Sequence, residues 1–382
     1  MLSAQPVPLP RRYVHSFAVT ERYIVVVLYP LTIPFDKLAN GKGFLPQLEW
    51  HGTERGSTLV VWDMQKETPD GGSLLSPQTW RGPPCWAYHI INAYNVRAPN
   101  LPCARRWRDA RKPGCGQASP CEARRPCCAP DGLTLATLTQ DGGKITVDLN
   151  AYRSPEIVTG AHGFAYLPNM RGGASTLEKQ ERDGGYLRLR VNDFGDPTPT
   201  RKAESRWLRM VDAKGSDWTF ELVRISEAVQ GGRHRFAYGF TGFVPDCDGG
   251  AKPRFGPGGA IVKMDTEAAG ADAPLPTSRG WVAPADEEGC VTEDGRAPPP
   301  SITTWQSETV FPSEPLFVGR PGGTAEDDGV LLFLGYETVR RESFLGVLDA
   351  AGMRELARVY CGTRCCISFH GQWIPAATPP LG

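Results

Sequence analysis

The sequence predicts an all-β fold. Gly and Pro occur 43 and 35 times among 382 residues and are scattered along the chain. The short segments between them are rich in β-branched and aromatic residues, which favour strands. Only residues 350–360 show a weak short-helix pattern, and long amphipathic patterns are absent. Many short antiparallel strands indicate a sandwich, a barrel or a propeller, and no fixed-period repeat selects among the three.

Ten segments have the composition of strands. Glycine-rich turns, such as those at 141–143 and 248–250, separate some of them. In chain order, the predicted strands are 23–29, 58–63, 144–150, 186–191, 218–225, 235–240, 260–264, 316–319, 330–336 and 344–348.

Two stretches, 97–140 and 267–300, break this pattern. Pro, Gly, Ala and charged residues dominate both, which is typical of surface insertions, although an error in the gene model explains the first equally well. The first holds five of the eleven cysteines, Cys103, Cys115, Cys121, Cys127 and Cys128. It has neither a CxxC pair nor a histidine, so it does not predict a zinc site or a disulfide framework.

Charge and hydropathy limit the partners and the location. Lys plus Arg (42) balances Asp plus Glu (42), so the net charge predicts no nucleic-acid partner. The most apolar stretch, 23–29, is far shorter than the roughly 18 residues of a membrane-spanning helix. Prolines interrupt the N-terminus where a signal peptide needs an apolar run. Secretion is therefore not predicted, and cytoplasmic and plastid locations both stay open.

Three of the six histidines lie beside the most distinctive apolar and aromatic segments. They are His15 in YVHSFAV, His89 in AYHIINAYN and His370 in ISFHGQW. A histidine in such a setting needs partners for its ring nitrogens, either as a hydrogen-bonded core residue or as a metal ligand. Spacing alone favours the core role, because no HxH, HExxH or HxxxH pair is present.

Four ordered motifs favour the metal site. HSFAVTERYIV, WAYHIINAYN, FPSEPLFVGRPGGTAEDDGVLL, and FLGVLDAAGMRELARVY followed by SFHGQW resemble consecutive motifs of the carotenoid cleavage oxygenase family. The resemblance runs from about residue 11 to residue 375 and is weakest across 97–140 and 267–300.

The resemblance implies a seven-bladed β-propeller with an axial Fe(II) held by four histidines. His15, His89 and His370 match three of the family's ligands in order, and the fourth ligand would precede residue 1. Residues 1–382 would then be the C-terminal portion of a carotenoid oxygenase domain, an incomplete propeller without its early blades.

The family also orients its histidines through glutamates. Glu314 in PSEPLF matches one of them, and Glu221 in FELVRI matches another, although LV replaces the usual FP after it. Such a carboxylate fixes the imidazole tautomer and raises ligand basicity. Asn95 replaces the acidic residue at the end of the second histidine motif, and Cys365 and Cys366 precede the last histidine, where packing is the expected role.

By resemblance, the function is that of a non-haem Fe(II) dioxygenase. It would use O2 to cleave a double bond of a carotenoid or apocarotenoid into carbonyl products, with possible peripheral contact to a membrane surface. The alternatives are a non-catalytic propeller fragment that binds apolar ligands or protein partners, and a truncated gene model without an independent fold.

Overall fold

The structure is a computed structural model. It describes residues 11–37, 47–52, 54–64, 77–96, 144–155, 184–192, 194, 201–245, 251–253, 259–270, 300–365 and 369–374. The predicted insertion at 97–140, most of the one at 267–300, the cysteine cluster, Cys366 and the turns at 141–143 and 248–250 lie outside the described residues. Within these ranges, no helix has the length and apolar character needed to cross a bilayer.

The described residues are almost entirely strands and turns, as the sequence predicts, with one short 3-10 helix at Glu227–Val229. The strands are β1 (Ala18–Val19), β2 (Tyr23–Leu28), β3 (Leu31–Thr32), β4 (Glu49–Trp50), β5 (Thr58–Asp63), β6 (Gln78–Arg81), β7 (Trp86–Val96), β8 (Lys144–Tyr152), β9 (Gly184–Val191), β10 (Arg201–Lys202), β11 (Glu204–Leu208), β12 (Glu221–Arg224), β13 (Phe236–Thr241), β14 (Phe243–Pro245), β15 (Ala251–Pro253), β16 (Ala260–Asp265), β17 (Ile302–Gln306), β18 (Val310–Pro312), β19 (Leu316–Gly319), β20 (Gly329–Glu337), β21 (Glu342–Asp349) and β22 (Glu355–Tyr360).

The strands form four principal sheets, which follow one another along the chain except that β10 returns to the first sheet after β9. The first has the order β1-β2-β5-β6-β10, the second β11-β9-β8-β7, the third β12-β13-β16-β17 and the fourth β18-β20-β21-β22, with β19 also pairing with β20. Almost all neighbouring strands are antiparallel, whereas β10 joins β6 in parallel. The described residues therefore form an all-β fold but not a closed seven-bladed ring.

Each sheet packs face to face on the next. One buried cluster joins the first and second sheets, a second cluster joins the second and third, and a third cluster joins the third and fourth. Strand β8 lies in the middle of this stack and is buried along eight consecutive residues, while β20, in the last sheet, alternates between buried and half-buried positions. The burial pattern follows from these positions, because an interior sheet has apolar neighbours on both faces.

The weak helix prediction at 350–360 is wrong. This segment is a turn followed by strand β22, which pairs with Phe344–Leu348 of β21. Glu, Leu, Ala and Arg are good helix formers, but tertiary context overrides intrinsic propensity, and here the edge of β21 supplies backbone hydrogen bonds that favour a strand.

An ion pair is buried inside the second sheet. Asp148 on β8 lies directly opposite Arg188 on β9, and both side chains are almost completely buried. The guanidinium donates from Nε to Oδ1 at 2.7 Å and from one terminal nitrogen to Oδ2 at 2.8 Å. Two parallel charge-assisted bonds satisfy both groups where water does not reach.

His234, which the sequence did not place in any site, belongs to the same buried network. The amide of Asn92 is fixed because its Oδ1 accepts from the Gly231 N–H and its Nδ2 donates to the Gly232 carbonyl. Asn92 Nδ2 therefore also donates to His234 Nδ1, at 3.0 Å. Because His234 Nδ1 accepts this hydrogen bond, it carries no proton. The ring is neutral, with its proton on Nε2, which lies 2.8 Å from the Tyr186 hydroxyl.

This network predicts a pH-dependent stability. Burial lowers the pKa of His234, the Asp148 carboxylate opposes this effect, and the Arg188 guanidinium adds to it. Above the ordinary pKa of about 6.5 the imidazole is neutral in both states, and between that value and the lowered pKa of the folded state only the unfolded state takes up the proton. We expect the free energy of unfolding to fall by up to about 1.4 kcal/mol per pH unit below that point.

Urea unfolding at several pH values in the presence of a chelator measures this effect. The variant His234→Gln keeps hydrogen-bonding groups but does not titrate, so it should lose less stability on acidification than the wild type. The same pH dependence in both proteins would exclude His234 as the titrating group.

Candidate metal site

The structure brings the three predicted histidines together from distant parts of the sequence. His15 lies just before β1, His89 lies on β7, and His370 follows β22. One ring nitrogen from each can be chosen so that all three lie within 4.8 Å of one another. The ring centroids of His15 and His89 are 5.3 Å apart, and those of His89 and His370 are 5.0 Å apart. Among the histidine, cysteine, aspartate and glutamate side chains of the described residues, these three histidines lie close enough together to hold one metal ion.

Strand β7 directs His89 by means of two irregularities. Its register with β8 shifts between Ala87 and His89 and again between Ile90 and Asn92, so β7 has an extra residue at each place. Such bulges bend a strand and change the direction of its side chains. This strand was missing from the predicted strands, although it is the longest described one and carries a candidate ligand.

Ser16 joins the segment of His15 to this strand. Its hydroxyl donates to the Tyr88 carbonyl at 2.8 Å and accepts from the Ile90 N–H at 3.1 Å. The two bonds flank His89, so one side chain next to His15 fixes the backbone on both sides of His89.

Glu221 contacts His89, as the family resemblance implies. Its Oε2 lies 3.1 Å from His89 Nδ1 and also accepts from the Leu222 N–H at 3.1 Å. Its other oxygen accepts a hydrogen bond from the Tyr152 hydroxyl. Both carboxylate oxygens are thus engaged, and Oε2 accepts a hydrogen bond from the Nδ1–H of His89.

Glu314 contacts His370 in the same way. Its Oε1 lies 3.1 Å from His370 Nδ1, and its Oε2 accepts from the Gly371 N–H at 2.7 Å. Arg224 also donates to Oε1 at 2.8 Å. The glutamate is 5% exposed, so its charge depends on these donors and not on water.

His15 has a phenol in place of a carboxylate. The Tyr13 hydroxyl lies 3.1 Å from His15 Nδ1, and the Tyr13 ring packs against Trp86. Burial lowers the pKa of His15, nearby His89 and His370 lower it further, and Glu221 opposes them. These effects favour the neutral imidazole, which is the form that binds a metal.

Each of the three rings has a second nitrogen, Nε2, that could bind a common ligand. Nδ1 of each histidine has a polar neighbour, whereas His89 Nε2 is buried and makes no hydrogen bond to any described residue. A buried nitrogen without a partner is costly, and a metal ion at this point would satisfy it.

Among the described residues, His51, His234 and Cys365 do not join this group. His51 lies 2.9 Å from the Thr32 hydroxyl, His234 belongs to the buried network, and His162 is outside the described residues. Cys365 is a free thiol. The sequence reasoning missed Ser16, Tyr152 and Arg224, and only the position of Ser16 next to His15 could have indicated one of them.

Comparison with known proteins identifies the family. The model of the family described as retinal pigment epithelial membrane protein matches residues 2–375. The carotenoid-cleaving dioxygenase of Homo sapiens is 38% identical, with 95% of this chain and 51% of that protein covered. Carotenoid cleavage dioxygenase 8 of Arabidopsis thaliana is 39% identical, with 95% and 47% covered. The chain therefore spans about half the length of these curated relatives.

Solved structures show the same fold. The cobalt-substituted apocarotenoid oxygenase of Synechocystis matches 95% of this chain and 53% of its own, with a TM-score of 0.57 and 19% identity. The lignostilbene dioxygenase of Pseudomonas brassicacearum matches 95% and 55%, with a TM-score of 0.56 and 18% identity. Together with the family-model match over nearly the whole sequence, these findings place the chain in the carotenoid oxygenase family.

Proposed function

We propose that this protein is a non-haem Fe(II) dioxygenase that cleaves a double bond of a carotenoid or apocarotenoid with O2. The observation that carries the proposal is the convergence of His15, His89 and His370, two of them backed by glutamates. The names of the relatives support the reaction class, because they include carotenoid-cleaving dioxygenases. We further propose that the four principal sheets are blades of the incomplete propeller that the resemblance implies.

The three histidines would hold the iron through the nitrogens that face away from their Nδ1 partners. Imidazole is a suitable ligand for iron, and Glu221 and Glu314 would fix the tautomers of His89 and His370. When bound, Fe(II) would supply the electrons that activate O2. The buried, unpartnered Nε2 of His89 fits this role.

The proposed reaction balances without an acid or a base. The carbon–carbon double bond and the O–O bond break, and two carbonyl groups form, so no proton has to move. The residues of the chain are needed for binding, orientation and the exclusion of water. This agrees with a site whose carboxylates are all occupied by hydrogen-bond donors.

Apolar side chains lie next to the histidines in sequence. Phe17 and Phe369 are 61% and 59% exposed, and each is within two residues of a proposed ligand. Exposed aromatic groups at this place are suited to a long apolar polyene. Contact with a membrane surface, from which such a substrate would be taken, stays part of the proposal.

The test is the detection of products from the purified chain. It should be loaded with Fe(II) without oxygen, mixed with β-carotene or an apocarotenal, exposed to O2 and analysed by liquid chromatography and mass spectrometry. We expect little or no product from this chain alone, and two shorter carbonyl products from a chain extended upstream by a segment that supplies the fourth histidine; the products should disappear when O2 is withheld or a chelator is added. Metal and ligand binding without products in the extended chain would contradict the dioxygenase and favour the non-catalytic alternative.

A further inference from the structure

Strand β12 contains a bulge opposite β13. Glu221 pairs with Phe240 and Arg224 pairs with Tyr238, so three residue steps on β12 oppose two on β13. In a regular strand, residues three apart point to opposite faces. Here the partners on β13, Tyr238 and Phe240, are two residues apart and therefore lie on the same face of the sheet. Glu221 and Arg224, which pair with them, lie on one face as well. The extra residue brings both side chains to the same side of the sheet.

The backbone is specialised for this bulge. Leu222 has a φ of 54°, a left-handed conformation that a leucine adopts only where its surroundings enforce it. Opposite it, a Cβ on Gly239 would lie 2.5 Å from a ring carbon of Phe220 and 3.0 Å from the Glu221 carbonyl oxygen. Only glycine allows this close approach of the two strands.

Each of the two side chains reaches a different histidine. Glu221 contacts His89 directly, whereas Arg224 reaches His370 through Glu314. Arg224 also donates from a terminal nitrogen to the Gly371 carbonyl at 3.0 Å. One guanidinium thus bridges the buried glutamate and the backbone next to the last histidine.

We propose that Arg224 is a positioning residue of the metal site. It holds Glu314 in place as the acceptor for His370 Nδ1 and ties the C-terminal segment to the strand that carries Glu221. This inference rests on the proposed function, because it assumes that the three histidines bind a metal. It extends that proposal by one residue, which reaches His370 through Glu314.

The physical reason is the burial of the Glu314 charge. Its side chain is 4% exposed, and Arg224 provides the ion pair that makes a carboxylate stable there. Without the guanidinium, the carboxylate would rotate towards water, and His370 would lose its acceptor. Loss of such a supporting partner lowers metal affinity by about 10- to 100-fold.

Cobalt binding to the full chain tests the inference without relying on turnover. The dissociation constant for Co(II), measured by titration calorimetry and by the visible absorption of the bound ion, should rise about 10- to 100-fold in Arg224→Gln. Arg224→Lys should recover only part of the affinity, since an ammonium group cannot bridge Glu314 and Gly371 as a planar fork does. The matched control is Arg209→Gln, because Arg209 is also 38% exposed and pairs with Asp217 at 2.9 Å. It should bind Co(II) like the wild type.

A double variant separates positioning from a general structural effect. If Arg224 acts mainly through Glu314, adding Arg224→Gln to Glu314→Gln should weaken Co(II) binding by a smaller factor than Arg224→Gln does alone, and the remaining loss should come from the contact with Gly371. Losses that multiply would overturn the inference, as would wild-type affinity in Arg224→Gln. If that variant does not fold, Arg224→Lys carries the test, and wild-type affinity there would overturn the bridging role.

A further arm tests the metal site itself. His89→Ala should lose Co(II) binding. If it retains wild-type affinity, the proposed metal site is wrong; if it loses binding while Arg224→Gln does not, only the role of Arg224 is wrong.

Discussion

Replacing Asp148 by alanine should lower the free energy of unfolding by about 3–5 kcal/mol. The reason is the burial of its partner: the Arg188 side chain is 3% exposed and would keep its charge without a counterion. The Tyr186 hydroxyl and His234 lie next to this carboxylate, so the change also disturbs the surrounding network. Urea unfolding followed by circular dichroism measures the loss.

The matched control is Asp217→Ala. Asp217 also pairs with an arginine, Arg209, but it is 62% exposed, and an exposed ion pair contributes no more than about 1 kcal/mol. A double change of Asp148 to Leu and Arg188 to Met removes both charges and should cost less than Asp148→Ala alone. Equal losses for the two aspartate variants would show that burial does not set the strength of the pair.

Replacing His89 by alanine should abolish metal binding and, with it, product formation. His89 is the central histidine, since its ring is 5.3 Å from that of His15 and 5.0 Å from that of His370. Loss of a ligand should exceed the 10- to 100-fold loss of affinity expected for a supporting partner. The iron content after desalting and the yield of carbonyl products from the extended chain measure both effects.

His51→Ala is the control for this change. His51 is a half-buried histidine whose ring bonds to Thr32 outside the candidate site, so its loss should leave the iron content unchanged. Full iron retention by His89→Ala would contradict the three-histidine site. Loss of iron by both variants would point to misfolding, which circular dichroism of each protein would detect.

The sequence predicted strands best where a short apolar run lies between clear turns. Thr58–Asp63 and Leu316–Gly319 have the predicted bounds, and β2 and β16 differ by one residue at one end. It missed β7, because two bulges interrupt the alternation of its side chains and hide the strand pattern. The predicted strand at 218–225 is reduced to Glu221–Arg224.

The candidate site was accessible through motifs rather than through spacing. His15, His89 and His370 were selected because their surroundings resemble family motifs, and Glu221 and Glu314 followed from the same resemblance. Tyr152 and Arg224 could not be found in this way. Their contacts depend on strand register and on pairing between residues 69 and 90 positions apart, which periodicity does not encode.

The bulge in β12 makes the length of this segment more critical than the identity of its apolar residues. Deletion of one residue between Glu221 and Arg224 would restore regular pairing, but one of the two side chains would then turn to the opposite face. An insertion would have the same effect. Substitutions that preserve size at Val223 are compatible with the site. Natural variants that shorten or lengthen this strand should be counter-selected wherever the site needs both Glu221 beside His89 and Arg224 beside Glu314.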